Sequence, residues 1–174
     1  MNKYLNSFFT SLVISGILIL ATLGSSCGVY RFNDASIPDS IKTVKINFFE
    51  NKSSYINPQL SPKLTDKFRQ KVLAQTRLTQ TNNDNADWEI SATITQYSFI
   101  TSAIAGRQTA TNRLSVGIQV TLYDRKTEET RRVEVTRSWE FQGTQTIQEA
   151  ESNLGDELVR TLSDEIFNKV FSNW

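Results

Sequence analysis

The sequence predicts an α+β domain, a two-layer sandwich with two helices packed on one face of a four-stranded mixed, mostly antiparallel sheet. Three observations predict it. Four segments alternate apolar and polar residues with a period of two, the mark of half-buried strands. Two segments carry an apolar stripe recurring about every four residues, the mark of amphipathic helices. Their order is strand, helix, three strands, helix. With one apolar face per strand and one stripe per helix, two helices on a single sheet face is the economical solution, and the other face stays wet. Strands two to four are joined by loops and run antiparallel. The first strand reaches them across a helix, which makes the sheet mixed.

The elements follow in order. Residues 27–40 form a tether and residues 41–174 the single domain, with Ile37-Pro38-Asp39 as a turn signal and Tyr30 and Phe32 expected on the domain's edge. The first strand runs from Lys42 to Phe48 with Val44, Ile46 and Phe48 on one side. Glu50 to Ile56 reads as a polar loop. Asn57-Pro58 fits an N-cap followed by a first-turn proline, with Ser61-Pro62 as the competing start. Leu60, Leu64, Phe68 and Val72, with Leu73 beside them, mark the buried face of the first helix. Lys63, Lys67, Arg69 and Lys71 lie off that stripe on a solvated face.

Asn82 to Asp87 is a turn cluster. Trp88, Ile90, Ala92 and Ile94 alternate with Glu89, Ser91, Thr93 and Thr95 in a second strand running toward Ile100. Ser98 to Asn112 reads as a loop of small and apolar residues. Leu114, Val116, Ile118, Val120 and Leu122 define the third strand, and Asp124 to Thr130 a charged hairpin loop. Val133 and Val135 continue toward Trp139 and Phe141 as the fourth. Thr146 and Glu149 have capping-box spacing. Leu154, Leu158, Leu162, Ile166 and Val170 then mark the stripe of a long C-terminal helix, widened by Phe167, Phe171 and Trp174.

Ahead of the domain, Lys3 is followed by a mostly apolar, uncharged run from Phe8 to Leu23 and then by Leu23-Gly24-Ser25-Ser26-Cys27, which holds the chain's only cysteine. This is the layout of a secretory signal over residues 1–26. Small residues ending on a cysteine resemble a lipobox, which implies cleavage before Cys27 and a diacylglycerol thioether on its sulfur. The clean core, Leu12 to Leu23, is shorter than the roughly 20 apolar residues of a spanning helix. Lipid chains anchor firmly, at about 0.8 kcal/mol per buried CH₂.

Removing residues 1–26 from 174 leaves 148, one domain's worth. Lys3 is the leader's only charge, so 19 cations and 18 acids become 18 and 18. A neutral chain argues against nucleic acid as partner, because neutralising phosphates takes a basic excess. There is no histidine, which removes the usual metal ligand, the usual general base and the Ser-His-Asp arrangement. The seven glycines are scattered singly and form no phosphate-cradling loop. The reading is of a protein that is not an enzyme and holds no cofactor or metal. A carboxylate-only hydrolase, with two facing acids in a cleft, is the chemical alternative.

Ile90 to Tyr123 contains no Asp or Glu, and within it lie Arg107 and Arg113. Guanidinium grips phosphate bidentately, so these two are candidate contacts for phosphorylated lipid headgroups. Arg131, Arg132 and Arg137 form a second candidate group, with Glu128, Glu129 and Glu134 near enough in sequence to neutralise them. The outward strand positions Ser91, Thr93, Thr95, Ser115, Gln119 and Thr121 are polar with few charges.

Taken together, Cys27-Gly-Val-Tyr-Arg-Phe, Ile37-Pro-Asp-Ser-Ile-Lys-Thr-Val, Phe49-Glu-Asn and Asn57-Pro-Gln-Leu-Ser resemble the LptE family of lipopolysaccharide-assembly lipoproteins in its Bacteroidetes form. Gln75-Thr-Arg-Leu, Asn112-Arg-Leu-Ser-Val and Ile166-Phe-Asn-Lys-Val-Phe-Ser-Asn-Trp complete the set, which covers essentially all of the mature chain. The resemblance implies a Gram-negative outer-membrane lipoprotein, held on the periplasmic side by lipid in the inner leaflet. It implies a plug inside the LptD β-barrel translocon, assisting its assembly and the delivery of lipopolysaccharide to the outer leaflet. It also implies the same sandwich of two helices on a four-stranded sheet. A stand-alone lipid- or glycan-binding lipoprotein is the alternative, and it predicts a deep apolar pocket between helices and sheet.

Overall fold

The computed structural model describes residues 37–101 and 111–172; Cys27, Tyr30, Phe32, Arg107 and Trp174 lie outside the described residues. The elements are β1 (Thr43–Ile46), β2 (Glu50–Asn51), α1 (Leu60–Gln75), β3 (Thr79–Gln80), β4 (Trp88–Thr101), β5 (Thr111–Asp124), β6 (Glu129–Gln142) and α2 (Ile147–Phe171). The sheet order is β3-β1-β4-β5-β6, with β2 also pairing β4. β1 runs parallel to both β3 and β4, and β4, β5 and β6 are antiparallel. The two helices on a mixed sheet are as expected. The sheet, however, has six strands rather than four among the described residues. The additions, β2 and β3, are two residues each, too short for an alternation to register. Glu50-Asn51, expected in a loop, pairs with Thr93 and Ile94.

Leu64, Phe68 and Val72 of α1, and Leu158, Leu162, Ile166 and Val170 of α2, are buried against Val44, Ile90, Ile94, Leu114, Val116 and Ile118 of the sheet. Burying a side chain of this kind contributes about 1.5–3 kcal/mol, so the packed layer outweighs any single polar link. Lys71 of α1 pairs with Asp164 of α2 at 2.7 Å and lies over the Phe167 ring. The capping box is present: Glu149 N–H donates to Thr146 Oγ1, and Thr146 N–H donates to Glu149 Oε2 at 2.9 Å. α1 begins at neither expected position. Asn57 Oδ1 accepts from Gln59 N–H in a preceding turn, and the helix starts at Leu60. Pro62 therefore falls in the first turn, where a missing N–H costs nothing.

Two irregularities decide which side chains face the helices. Ile46 pairs with Ile90 and Glu50 with Thr93, so the outer strand spends four steps where β4 spends three. The extra residue ends β1 at Ile46 and swaps two phenylalanines relative to expectation: Phe48 is 55% exposed and Phe49 fully buried. Phe49 N–H donates to Thr65 Oγ1, which in turn donates to Ser61 O. In β4 the register slips between Ile94 and Gln96, opposite Ile118 and Gly117. Beyond that bulge Tyr97 is buried and Phe99 packs on the core, while Ile100 is 54% exposed. Gly117 permits the bulge, since a Cβ there would sit 3.1 Å from Gln96 Cβ. The hairpin also extends further than expected. Ser98 pairs with Ser115 and Thr101 with Asn112, so both strands reach into the stretch expected as a loop, of which 102–110 lie outside the described residues.

Asp87 ties β1 to the start of β4. Its Oδ2 accepts from Lys42 N–H (2.8 Å), Thr43 N–H (2.9 Å) and Thr43 Oγ1 (3.0 Å), and its own N–H donates to Thr43 Oγ1. These donors, the Lys42 amide foremost, hold its carboxyl at about 2. The folded value lies below the unfolded one, so the stabilisation is present above pH about 4 and fades as pH falls from about 4 to 2. Asp87→Ala is expected to lose about 1–2 kcal/mol at neutral pH, after allowance for solvent screening. In denaturant titrations its midpoint should also fall less steeply than that of the natural chain between pH about 4 and 2; parallel curves would show that Asp87 contributes nothing.

Candidate functional site

Directly opposed residues in an antiparallel ladder point to the same side of the sheet. Arg131 opposes Leu122, and Arg137 opposes Val116, both of which are buried beneath the helices. Arg131 and Arg137 therefore rise from the edge strand toward α2. Arg131 Nη2 donates to Val170 O at 2.5 Å, and Arg137 Nη2 pairs with Glu165 Oε2 at 2.6 Å. A guanidinium at the last carbonyls of a helix satisfies an orphan acceptor and complements the negative end of the helix dipole. The expected acidic neighbours, Glu128, Glu129 and Glu134, are not the partners. The odd-number parity shared with Val133 and Val135 already held this placement.

Arg113 and Arg132 stand on the opposite, outer face, across from Glu140 and Thr121. Arg113 Nη2 pairs with Glu140 Oε1 at 3.1 Å. The candidate arginines thus divide between two faces: Arg131 and Arg137 with α2, Arg113 and Arg132 outside, and Arg107 beyond the described residues. The outer face presents Ser91 opposite Thr121, Thr93 opposite Gln119, and Ser115 opposite Ser138, whose hydroxyls lie 2.9 Å apart. Three strands of 14 residues make this a long, hydroxyl-rich wall.

Periodicity missed a polar hub at the hairpin pole. Glu151 Oε1 accepts from Tyr97 Oη (3.0 Å) and Asn57 Nδ2 (3.0 Å), and Oε2 accepts from Tyr55 Oη (3.3 Å). Tyr55 stacks on Tyr97 at 5.6 Å, and Phe99 meets both edge-on. Burial first, then the Glu151 carboxylate, pushes the Tyr97 hydroxyl far above its usual range, so it serves as a fixed donor. The adjoining cleft holds about 120 Å³ and includes Lys63, Gly155 and Asp156. Both Glu151 oxygens are occupied in bracing the loop before α1 against α2. No spacing rule connects Tyr55 and Asn57 with Tyr97 and Glu151, which come from three separate stretches.

A family model described as lipopolysaccharide-assembly, LptE, matches residues 41–170. The chain belongs to the LptE family. Membership gives it a role in lipopolysaccharide assembly. No curated protein matches. Among solved structures, a minor lipoprotein from Acinetobacter baumannii is similar at 17% identity and a TM-score of 0.48, over 77% of this chain and 95% of that one. The Chlamydia trachomatis protein CT253 is similar at 9% identity and a TM-score of 0.49, over 76% and 99%. A PelC dodecamer from Paraburkholderia phytofirmans gives 10% identity and 0.47, over 77% and 89%.

In this LptE-family domain no helix among the described residues is long and apolar enough to cross a membrane. The space between helices and sheet is filled by side chains such as Phe68, Leu64, Ile90 and Ile166, each fully buried. A double-mutant cycle on Arg137→Met and Glu165→Gln is expected to give a coupling of about 0.2–1 kcal/mol, as for a half-exposed pair. Strictly additive losses would mean that the two side chains do not meet in solution.

Proposed function

We propose that the mature chain is a non-enzymatic plug and assembly partner of an LptD-type β-barrel, held by lipid on Cys27 in the inner leaflet of the outer membrane. In this role it takes part in lipopolysaccharide transport to the outer leaflet. The observation that carries the reading is the family match over residues 41–170; the signal-like pattern of residues 1–26 and the Cys27 that follows it supply the expected anchor. The outer face supports it: its Ser, Thr and Gln side chains can exchange hydrogen bonds with a wet barrel lining, and the Arg113–Glu140 pair on it is already neutralised. Affinity purification of the acylated chain from outer membranes should recover a large β-barrel in stoichiometric amount. Recovery of the lipoprotein alone would overturn the proposal.

Within that role, Arg107 and Arg113 are the candidates for lipopolysaccharide phosphates, since they belong to the acid-free stretch and Arg113 stands on the outer face. Arg131 and Arg137 are engaged with α2, and Arg132, opposite Thr121, stands toward the other end of β5 from Arg113. Arg107→Glu combined with Arg113→Glu should weaken lipopolysaccharide binding about tenfold or more in a direct titration, with the circular dichroism spectrum unchanged. Unchanged affinity would remove this stretch from the site.

A further inference from the structure

The two edges of the sheet are built differently. One ends on β3, two residues long, with the equally short β2 beside it. Short strands blunt an edge. The other edge is β6, fourteen residues long, free of proline and paired with β5 from end to end without a slip. Among the described residues no strand pairs with its far side, which leaves a row of backbone N–H and C=O groups there. Charge on such an edge repels strands that cannot match it and admits one that can. The ion pairs of β6 are Glu140 with Arg113 and Arg137 with Glu165. Arg132 and Glu134, on its outer face, have none among the described residues. We propose that the matching strand is β6 of a second copy, running antiparallel along this edge and joining two sheets into one.

The occupant is argued from the charge pattern under twofold symmetry. Side chains paired across the junction share a face, so the axis passes through a residue, and residues equidistant from it meet. An axis at Glu134 or Arg137 sets a like charge on itself. The two longest ladders centre on Val135 and on Thr136. About Val135, Arg132 meets Ser138 and Glu134 meets Thr136, and no opposite charges meet. About Thr136 the ladder spans residues 130–142, and Arg132 meets Glu140 of the second copy in both directions. Arg113 holds Oε1 of Glu140, which leaves Oε2 for that guanidinium. Glu134 then meets Ser138, Val133 meets Trp139, and no like charges face each other. The axis stands normal to the sheet, so both copies keep their helices on one side and their hydroxyl-rich faces on the other. This pairing does not rest on the barrel reading.

The test uses the mature acylated chain in detergent and its Thr136→Cys, Thr130→Cys and Arg132→Glu variants. Sedimentation should give a dimer whose mass falls to that of the monomer on dilution. Residues facing each other across the axis have Cα atoms about 4.5–5.5 Å apart, within disulfide reach. Under mild oxidation Thr136→Cys should therefore link into a dimer at least about tenfold faster than Thr130→Cys. Thr130 faces Gln142 of the second copy instead, so Thr130→Cys combined with Gln142→Cys should restore rapid linkage. Arg132→Glu should weaken dimerisation about tenfold, because symmetry repeats the lost pair, with the circular dichroism spectrum unchanged. A monomer at every concentration overturns the proposal. Linkage of Thr130→Cys as fast as that of Thr136→Cys would mark chance encounters within shared micelles and overturns it too. Unchanged association of Arg132→Glu overturns the register that argues for a second copy.

Discussion

Because side chains alternate along a strand, slipping β4 by one residue against β5 would turn Ile90, Ala92 and Ile94 to water and Glu89, Ser91 and Thr93 toward the helices. The fold depends on one register held over seven pairs from Trp88 to Ile94 and on a second, shifted by the slip, over six more from Gln96 to Thr101. The slip is itself part of the solution. It moves Gln96 and Ser98 off the helix side and brings Tyr97 and Phe99 onto it, and Gly117 leaves room for the close approach. Downstream of the bulge, Tyr97 carries the Glu151 hub and Phe99 joins the aromatic cluster with Phe141. One extra residue in one strand thus decides the chemistry of a whole pole.

The same alternation governs the charges. Along β6, Arg131 and Arg137 share parity with Val135 and Trp139 and so reach α2, while Arg132 and Glu134 face out. A long edge strand needs charge to discourage pairing with other chains. Here two of its cations also satisfy the helix above them, one at a terminal carbonyl and one at Glu165. What remains outside is a wall of hydroxyls and amides with scattered ion pairs, suited to a polar partner surface rather than to a lipid interior.

Much of the architecture was legible. The Thr146–Glu149 capping box, both helix stripes, the three long strands and the turn at Pro38 were all readable, because each is set by residues within one or two turns of one another. Phe48, β2, β3 and the arginine grouping were not. Phe48 and Phe49 are adjacent and chemically equal, and only pairing with β4 chooses between them. β2 and β3 have no pattern of their own and exist because β4 and β1 offer them a ladder. The arginines were grouped by nearness in sequence, which for a strand places neighbours on opposite sides.

By itself, the sequence determined the kinds of element, their order, the apolar faces they bury, and the absence of histidine and of any cysteine beyond Cys27, since these depend on composition and short-range periodicity alone. The tertiary structure decided the sheet order, the bulge that brings Tyr97 inward, the convergence of Tyr55, Asn57, Tyr97 and Glu151, and the division of Arg113 and Arg132 from Arg131 and Arg137. Those depend on which strand pairs with which and in what register, and that is settled by the free energy of packing distant residues together rather than by any local preference.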